Sequence, residues 1–136
     1  MSTRDDILRA NERYAASFPL AGLEAPPRRR LAVLTCMDAR LDPAGFLGLE
    51  PGDAHLLRNA GGRATDEVAY ALELSRGMGT REVLVVGHDR CAALAHEGRD
   101  PEDAVREAVE RIRALSGLDA LGFLYDEATG RIRPVE

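Results

Sequence analysis

The sequence predicts a single α/β domain with a mostly parallel central sheet, flanking helices and a terminal β-hairpin. Three observations carry this. Leu31–Thr35, Ala54–Arg58 and Glu82–Val86 are short apolar runs of the kind that strands buried within a sheet require. A helical pattern between the second and third runs lets the chain return before the next strand, which is how parallel neighbours are connected. Cys36 and His88 then fall at equivalent places, just past the first and third runs, at the strand mouths where open α/β sheets bind ligands.

Taken in order, Ile7–Phe18 carries apolar residues near helical spacing and reads as an amphipathic helix that Pro19 ends. Leu20–Arg30 holds Gly22, Pro26, Pro27 and three consecutive arginines and reads as a surface linker, with Arg28–Arg30 a solvated run. Residues 1–30 thus form a helix and linker arm on a domain that spans 1–136. Turn signals at Asp42-Pro43 and Pro51-Gly52 lead into the second run, and Asn59-Ala-Gly-Gly62 stops it. Thr65 or Asp66 caps a helix reaching Arg76, with Val68, Ala69, Leu72 and Leu74 as its apolar residues. Asp100-Pro101 opens another helix, which places Val105, Val109 and Ile112 on one face. Leu121–Tyr125 and Arg131–Val135, joined around Ala128-Thr-Gly130, form the hairpin.

Composition narrows the function. With 136 residues, 45% of them hydrophobic and 30% charged, the chain can bury one core. A net charge of -5 offers no basic surface for nucleic acid. No apolar run approaches the ~20 residues of a membrane span, and Met1–Arg13 has no apolar segment of a secretory signal, so a cytoplasmic location is expected. All 18 basic residues are Arg, a bias from which no function follows. Two cysteines without an export signal point away from a disulfide scaffold and toward metal binding, catalysis or burial.

Two clusters carry the chemistry, Cys36-Met-Asp38-Ala-Arg40 and His88-Asp-Arg-Cys91. Zinc accepts thiolate and imidazole, and three protein ligands leave one tetrahedral position for water or substrate. Cys36, His88 and Cys91 supply that set, with His88 and Cys91 presented from one turn. The same residues also fit two buried cysteines beside a core histidine. The C-x-D-x-R segment favours the metal, because alternate residues of extended chain share a face and bring Asp38 and Arg40 together, where an arginine can engage a carboxylate through two hydrogen bonds.

These motifs resemble the β-class carbonic anhydrase family. Cys36-Met-Asp38-Ala-Arg40 is similar to its C-x-D-x-R motif, Arg58-Asn-Ala-Gly-Gly62 to its R-N-A-G segment and Val86-Gly-His88-Asp-Arg-Cys91 to its H-x-x-C motif, all in the family's order. Gly122–Asp126 with Thr129-Gly130 resembles the closing strands. The resemblance implies Zn2+ held by Cys36, His88 and Cys91. It also implies an Asp38–Arg40 switch dyad: with Asp38 paired to Arg40 a water takes the fourth position, and with Asp38 on the metal catalysis is blocked. The implied reaction is reversible hydration of carbon dioxide to bicarbonate, with zinc-bound hydroxide as nucleophile. Zinc lowers the pKa of bound water to about 7 at a three-histidine site. Two thiolates donate more charge, so activity here is expected to favour alkaline pH. A homodimer or higher homo-oligomer is implied as well, the N-terminal helix reaching across to a second subunit.

The chain also departs from the family. After Cys91 the family continues with Gly and a long helical insertion, whereas this chain has Ala92-Ala-Leu94 and soon reaches Asp100-Pro101. It contains no Gln for a partner-built pocket wall and no Trp, so the family's Trp-containing bicarbonate regulatory site is not assigned. Two other functions therefore stay open: a zinc-binding module without turnover, and a zinc hydrolase of another small substrate such as carbon disulfide. Of the remaining residues, His55 reads as packed or solvent-facing rather than a ligand. His96 reads as solvated rather than a proton shuttle, and Asp89 and Arg90 as a surface turn. Gly61 and Gly62 mark a tight turn near the pocket, serving structure or substrate.

Overall fold

The computed structural model describes residues 2–115 and 117–136. Five strands form one sheet: β1 (Leu31–Cys36), β2 (Ala54–Asn59), β3 (Glu82–His88), β4 (Asp119–Tyr125) and β5 (Ile132–Val135). The order is β2-β1-β3-β4-β5, parallel throughout except for the antiparallel β4–β5 pair. The parallel sheet and terminal hairpin expected from the sequence are both present. Around the sheet lie α1 (Thr3–Ala16), α2 (Pro43–Leu47), α3 (Asp66–Gly77), α4 (Ala92–His96) and α5 (Pro101–Arg113).

Alternation along the strands sends Ala32 and Leu34 of β1, Val83 and Val85 of β3, and Ala120 and Leu124 of β4 to one face. There they pack against Val68 and Leu72 of α3 and Val105, Ala108, Val109 and Ile112 of α5. Val33, Thr35 and Val86, on the other face, are fully buried too, which is why these strands are apolar without a break. Gly87 is small by necessity, since a Cβ there would stand 2.6 Å from Val105 Cγ2.

Several boundaries differ from the sequence reading. Helix α1 starts earlier than Ile7 because Ser2 caps it, its side chain accepting from the Asp5 amide, and it ends at Ala16, before Pro19. None of its residues is buried, so its apolar side chains lie outside the core formed by the described residues. Thr65 is the cap of α3, through the Val68 amide. Leu74 is 50% exposed, however, and Ser75 takes the inward place instead. Ser75 earns that place in a hydrogen-bonded chain: His55 Nε2 donates to the Ala25 carbonyl, leaving Nδ1 to accept from the Ser75 hydroxyl, which in turn meets Thr80 Oγ1. His55 is thus a packed residue. The run Arg28–Arg30 is more than solvated chain, because the Arg28 and Arg29 amides donate to the carbonyls of Gly52 and Asp53. The short helices α2 and α4 lie in stretches the sequence marks only as turns.

Leu72→Ala should cost about 2–5 kcal/mol in chemical denaturation, as for other fully buried leucines, and Leu74→Ala about 0.5 kcal/mol or less. Equal costs at the two positions would show that α3 is rotated from the orientation described.

Candidate metal centre

Strand β1 is followed by β2 on one side and its neighbour β3 by β4 on the other, so the chain leaves these two adjacent strands in opposite directions, the switch point at whose carboxyl ends open α/β sheets bind ligands. Cys36 is the last residue of β1 and His88 the last of β3. Cys91 caps the start of α4, three residues on. All three are buried, and their donor atoms lie within 4.8 Å of one another. The Cys36 and Cys91 sulfurs are 3.8 Å apart, within thiol hydrogen-bonding reach, and form no disulfide. A tetrahedral zinc with Zn–S bonds of about 2.3 Å sets two thiolates about 3.8 Å apart. Among the described residues, His88 Nε2 is buried with no hydrogen-bond partner. A buried polar atom left unpaired is costly, and a cation between the sulfurs and Nε2 would satisfy it. The donor set and its spacing fit zinc.

Backbone groups hold each donor in place. Arg58 Nε donates to the Cys36 carbonyl and its Nη2 to the Asp38 carbonyl, both at 2.8 Å, fixing the chain as it leaves β1. The Gly61 amide approaches Cys36 Sγ at 3.4 Å. This approach needs the glycine pair: Gly61 and Gly62 have φ of 90° and 62°, and a Cβ on Gly62 would sit 3.1 Å from the Thr35 carbonyl carbon. The turn itself is tied by Asn59, whose side chain accepts from the Arg63 amide and donates to the Arg63 carbonyl. Burial pushes the Cys91 thiol up from its ordinary value, and nearby Cys36 adds to the shift, against the lowering effect of the Leu94 and Ala93 amides. Metal uptake must therefore displace a firmly held proton, so affinity rises with pH.

Asp38 and Arg40 meet as the sequence suggests, though by another route. Asp38–Leu41 form a turn, the Leu41 amide donating to the Asp38 carbonyl, rather than extended chain. Asp38 Oδ1 accepts from the Arg40 amide at 2.8 Å, and this bends the chain so that the guanidinium folds back: Nε reaches Oδ1 at 3.0 Å and Nη2 reaches Oδ2 at 2.8 Å. The hydrogen bonds from Arg40 hold the Asp38 carboxyl well below the usual carboxylate range. Asp38 Oδ2 stands 4.0 Å from His88 Nε2, so the pair borders the donor set directly. Arg40 Nη2 also donates to the Arg90 carbonyl at 3.0 Å, linking the two sequence clusters.

The other candidates divide. Arg90 belongs to the site through its backbone, while Asp89 faces Arg133 at 3.8 Å. His96 is exposed on α4. Glu127, in the β4–β5 turn, is the site residue that the sequence does not reveal. Its Oε2 is 3.2 Å from His88 Nδ1, and its Oε1 accepts from the Arg90 amide at 3.1 Å. A glutamate in a hairpin turn carries no signal of its own. Only the strand order brings this turn beside β3.

The carbonic anhydrase family model matches residues 31–129. Beta-carbonic anhydrase 1 of Mycobacterium tuberculosis is 34% identical over 162 aligned positions that cover 99% of each chain. That alignment is longer than the 136 residues here, so the relative carries extra residues; residues 92–100 are all that separate Cys91 from α5 in this chain. The crystal structure of the Streptococcus mutans carbonic anhydrase superposes with a TM-score of 0.88 at 35% identity, over 100% of this chain and 99% of its own. A carbon disulfide hydrolase of Acidianus sp. is 45% identical over 76 residues, 55% of this chain and 37% of that protein. With a family match across most of its length and a Cys-His-Cys cluster at the sheet's switch point, the chain belongs to the β-carbonic anhydrases, a family of zinc enzymes.

Proposed function

We propose that this protein catalyses the reversible hydration of carbon dioxide to bicarbonate, with Cys36, His88 and Cys91 as zinc ligands and the Asp38–Arg40 pair controlling the fourth position. The observation that carries the reading is the carboxylate of Asp38, held through both oxygens by Arg40 at the edge of a three-donor cluster. When bound, zinc supplies the Lewis acidity that makes water a nucleophile, tempered by two thiolates.

The protein's own groups set the geometry of attack. Arg40 keeps Asp38 ionised, and therefore a pure acceptor, at any working pH. Asp38 Oδ1 accepts two hydrogen bonds from Arg40, whereas Oδ2 accepts one and stands 4.0 Å from His88 Nε2; its remaining lone pair can hold the hydrogen of an attacking water, aiming the water oxygen at the carbon of carbon dioxide. Paired to Arg40, the carboxylate also stays out of the fourth position. Because the folded pKa of Asp38 lies below its unfolded value of about 3.9, the pair stabilises the fold above about pH 4. That contribution fades as pH falls toward the folded value.

The same reading includes a homodimer or larger homo-oligomer. Ile7, Leu8, Tyr14 and Phe18 are all largely exposed on or just past α1, an apolar stripe that a second copy of the chain could cover. Hydrolysis of carbon disulfide is the second reading, favoured by the 45% identity over the shared segment. The short stretch 92–100 motivates a third, a zinc-holding module without turnover.

Stopped-flow measurement on zinc-loaded protein should show carbon dioxide hydration above buffer, rising toward alkaline pH. Sulfide release from carbon disulfide with no such hydration would favour the second reading, and a rate at buffer level for both substrates would leave the third. Cys91→Ser should fall well below one zinc per chain by metal analysis; full stoichiometry would remove Cys91 from the ligand set. In Arg40→Gln, the Asp38 carboxyl carbon should titrate by NMR near the ordinary value of about 3.9. An unmoved titration would show that Arg40 is not what depresses it.

A further inference from the structure

We infer that Glu127 is a positioning residue of the metal centre, fixing the tautomer and ring orientation of His88 so that Nε2 alone is offered to zinc. The inference rests on the ligand set proposed above. Glu127 is a carboxylate whose side chain is only 6% exposed, and a buried charge persists only where donors surround it. Two donors do so, one for each oxygen. The Arg90 amide at 3.1 Å is a fixed N–H, and His88 Nδ1 at 3.2 Å is the other. An ionised carboxylate accepts and never donates, so Nδ1 must carry the hydrogen. The neutral ring then has its lone pair on Nε2, the atom that is buried, without a partner and turned toward the sulfurs of Cys36 and Cys91.

The turn that carries Glu127 is itself rigidly built. Asp126 Oδ1 accepts from the Ala128 amide at 2.8 Å, the Asp126 carbonyl accepts from the Gly130 amide at 2.8 Å, and the Asp126 amide donates to the Arg131 carbonyl at 2.9 Å. The Asp89 amide donates to the Tyr125 carbonyl at 3.2 Å, pinning this hairpin to the His88–Cys91 turn. Glu127 Oε1 also lies 3.9 Å from Arg40 Nη1. One carboxylate therefore faces both the histidine of the donor set and the arginine of the dyad. Carboxylate partners of metal-bound histidines act in this way, holding the ring and raising its basicity.

The test is zinc affinity, measured by competition with a chromophoric chelator, for the full chain and for Glu127→Ala and Glu127→Gln. Glu127→Ala should bind zinc about 10–100-fold more weakly. Glu127→Gln keeps the shape but offers one acceptor to two donors, and should also lose about tenfold or more. It serves as the measurement should the alanine variant not fold. Nitrogen chemical shifts of the His88 ring provide a readout that a merely structural role would not move. The zinc-free parent should show a protonated Nδ1, and the variants a mixture of tautomers. Variants with parental zinc affinity, or an unchanged tautomer, overturn the assignment while leaving the ligand set intact. A parent chain that takes up no zinc overturns both.

Discussion

The pairing of β1 with β3 sets Thr35 opposite Val86, and from that register follows where Cys36 and His88 stand. Each is the last residue of its strand, so each emerges at the same edge of the sheet on adjacent strands. A slip of one residue would carry one strand end about 3.3 Å past the other and pull the donors apart. Register is in turn secured by burial. Ala32 and Leu34 must meet Val83 and Val85 on the face covered by α3 and α5, while Thr35 Oγ1 donates to the Val86 carbonyl at 2.7 Å on the opposite face. The metal centre is therefore an extension of the core's packing.

Around the donors, nearly every restraint is a hydrogen bond to backbone. Arg58 grips the carbonyls of Cys36 and Asp38, Arg40 grips the carbonyl of Arg90, and Glu127 holds the Arg90 amide. Long side chains anchored on main chain give a site its precision, because the backbone they hold is already fixed by strand ends and turns. Gly61 and Gly62 allow the closest of these approaches, bringing an amide to Cys36 Sγ where a side chain would collide with β1. The second apolar cluster, Leu41, Leu94 and Ala104 with the stacked Phe46 and Tyr125, packs around the two cysteines and keeps them dry. In such surroundings charge interactions are weakly screened.

Much of this was legible in the sequence for a simple reason: strands buried on both faces need unbroken apolar runs, and a thiolate or imidazole at a strand mouth stands out against them. Strand positions followed from apolar runs and the inward face of α5 from periodicity, while residue type narrowed the α3 cap to Thr65 or Asp66, of which the structure has Thr65. Periodicity was a poorer guide where polar groups pack inward, as with Ser75, which displaced Leu74 because His55 and Thr80 satisfy its hydroxyl. The Asp38–Arg40 contact was foreseen, but through alternation in extended chain. A carboxylate that accepts its neighbour's amide makes a turn instead, and the structure has the turn.

By itself the sequence determined the α/β class, the family, the donor residues and the dyad beside them, since these depend on residue type and on spacing along the chain. Tertiary structure decided which atoms of those residues face one another. It placed the sulfurs 3.8 Å apart, left His88 Nε2 without a partner, and brought Glu127 to the far side of the same ring. That last contact joins residues 39 positions apart through the pairing of β3 with β4. Local chain preferences reach only a few residues, so only a fold that sets these strands side by side can place a hairpin turn against a histidine of the donor set.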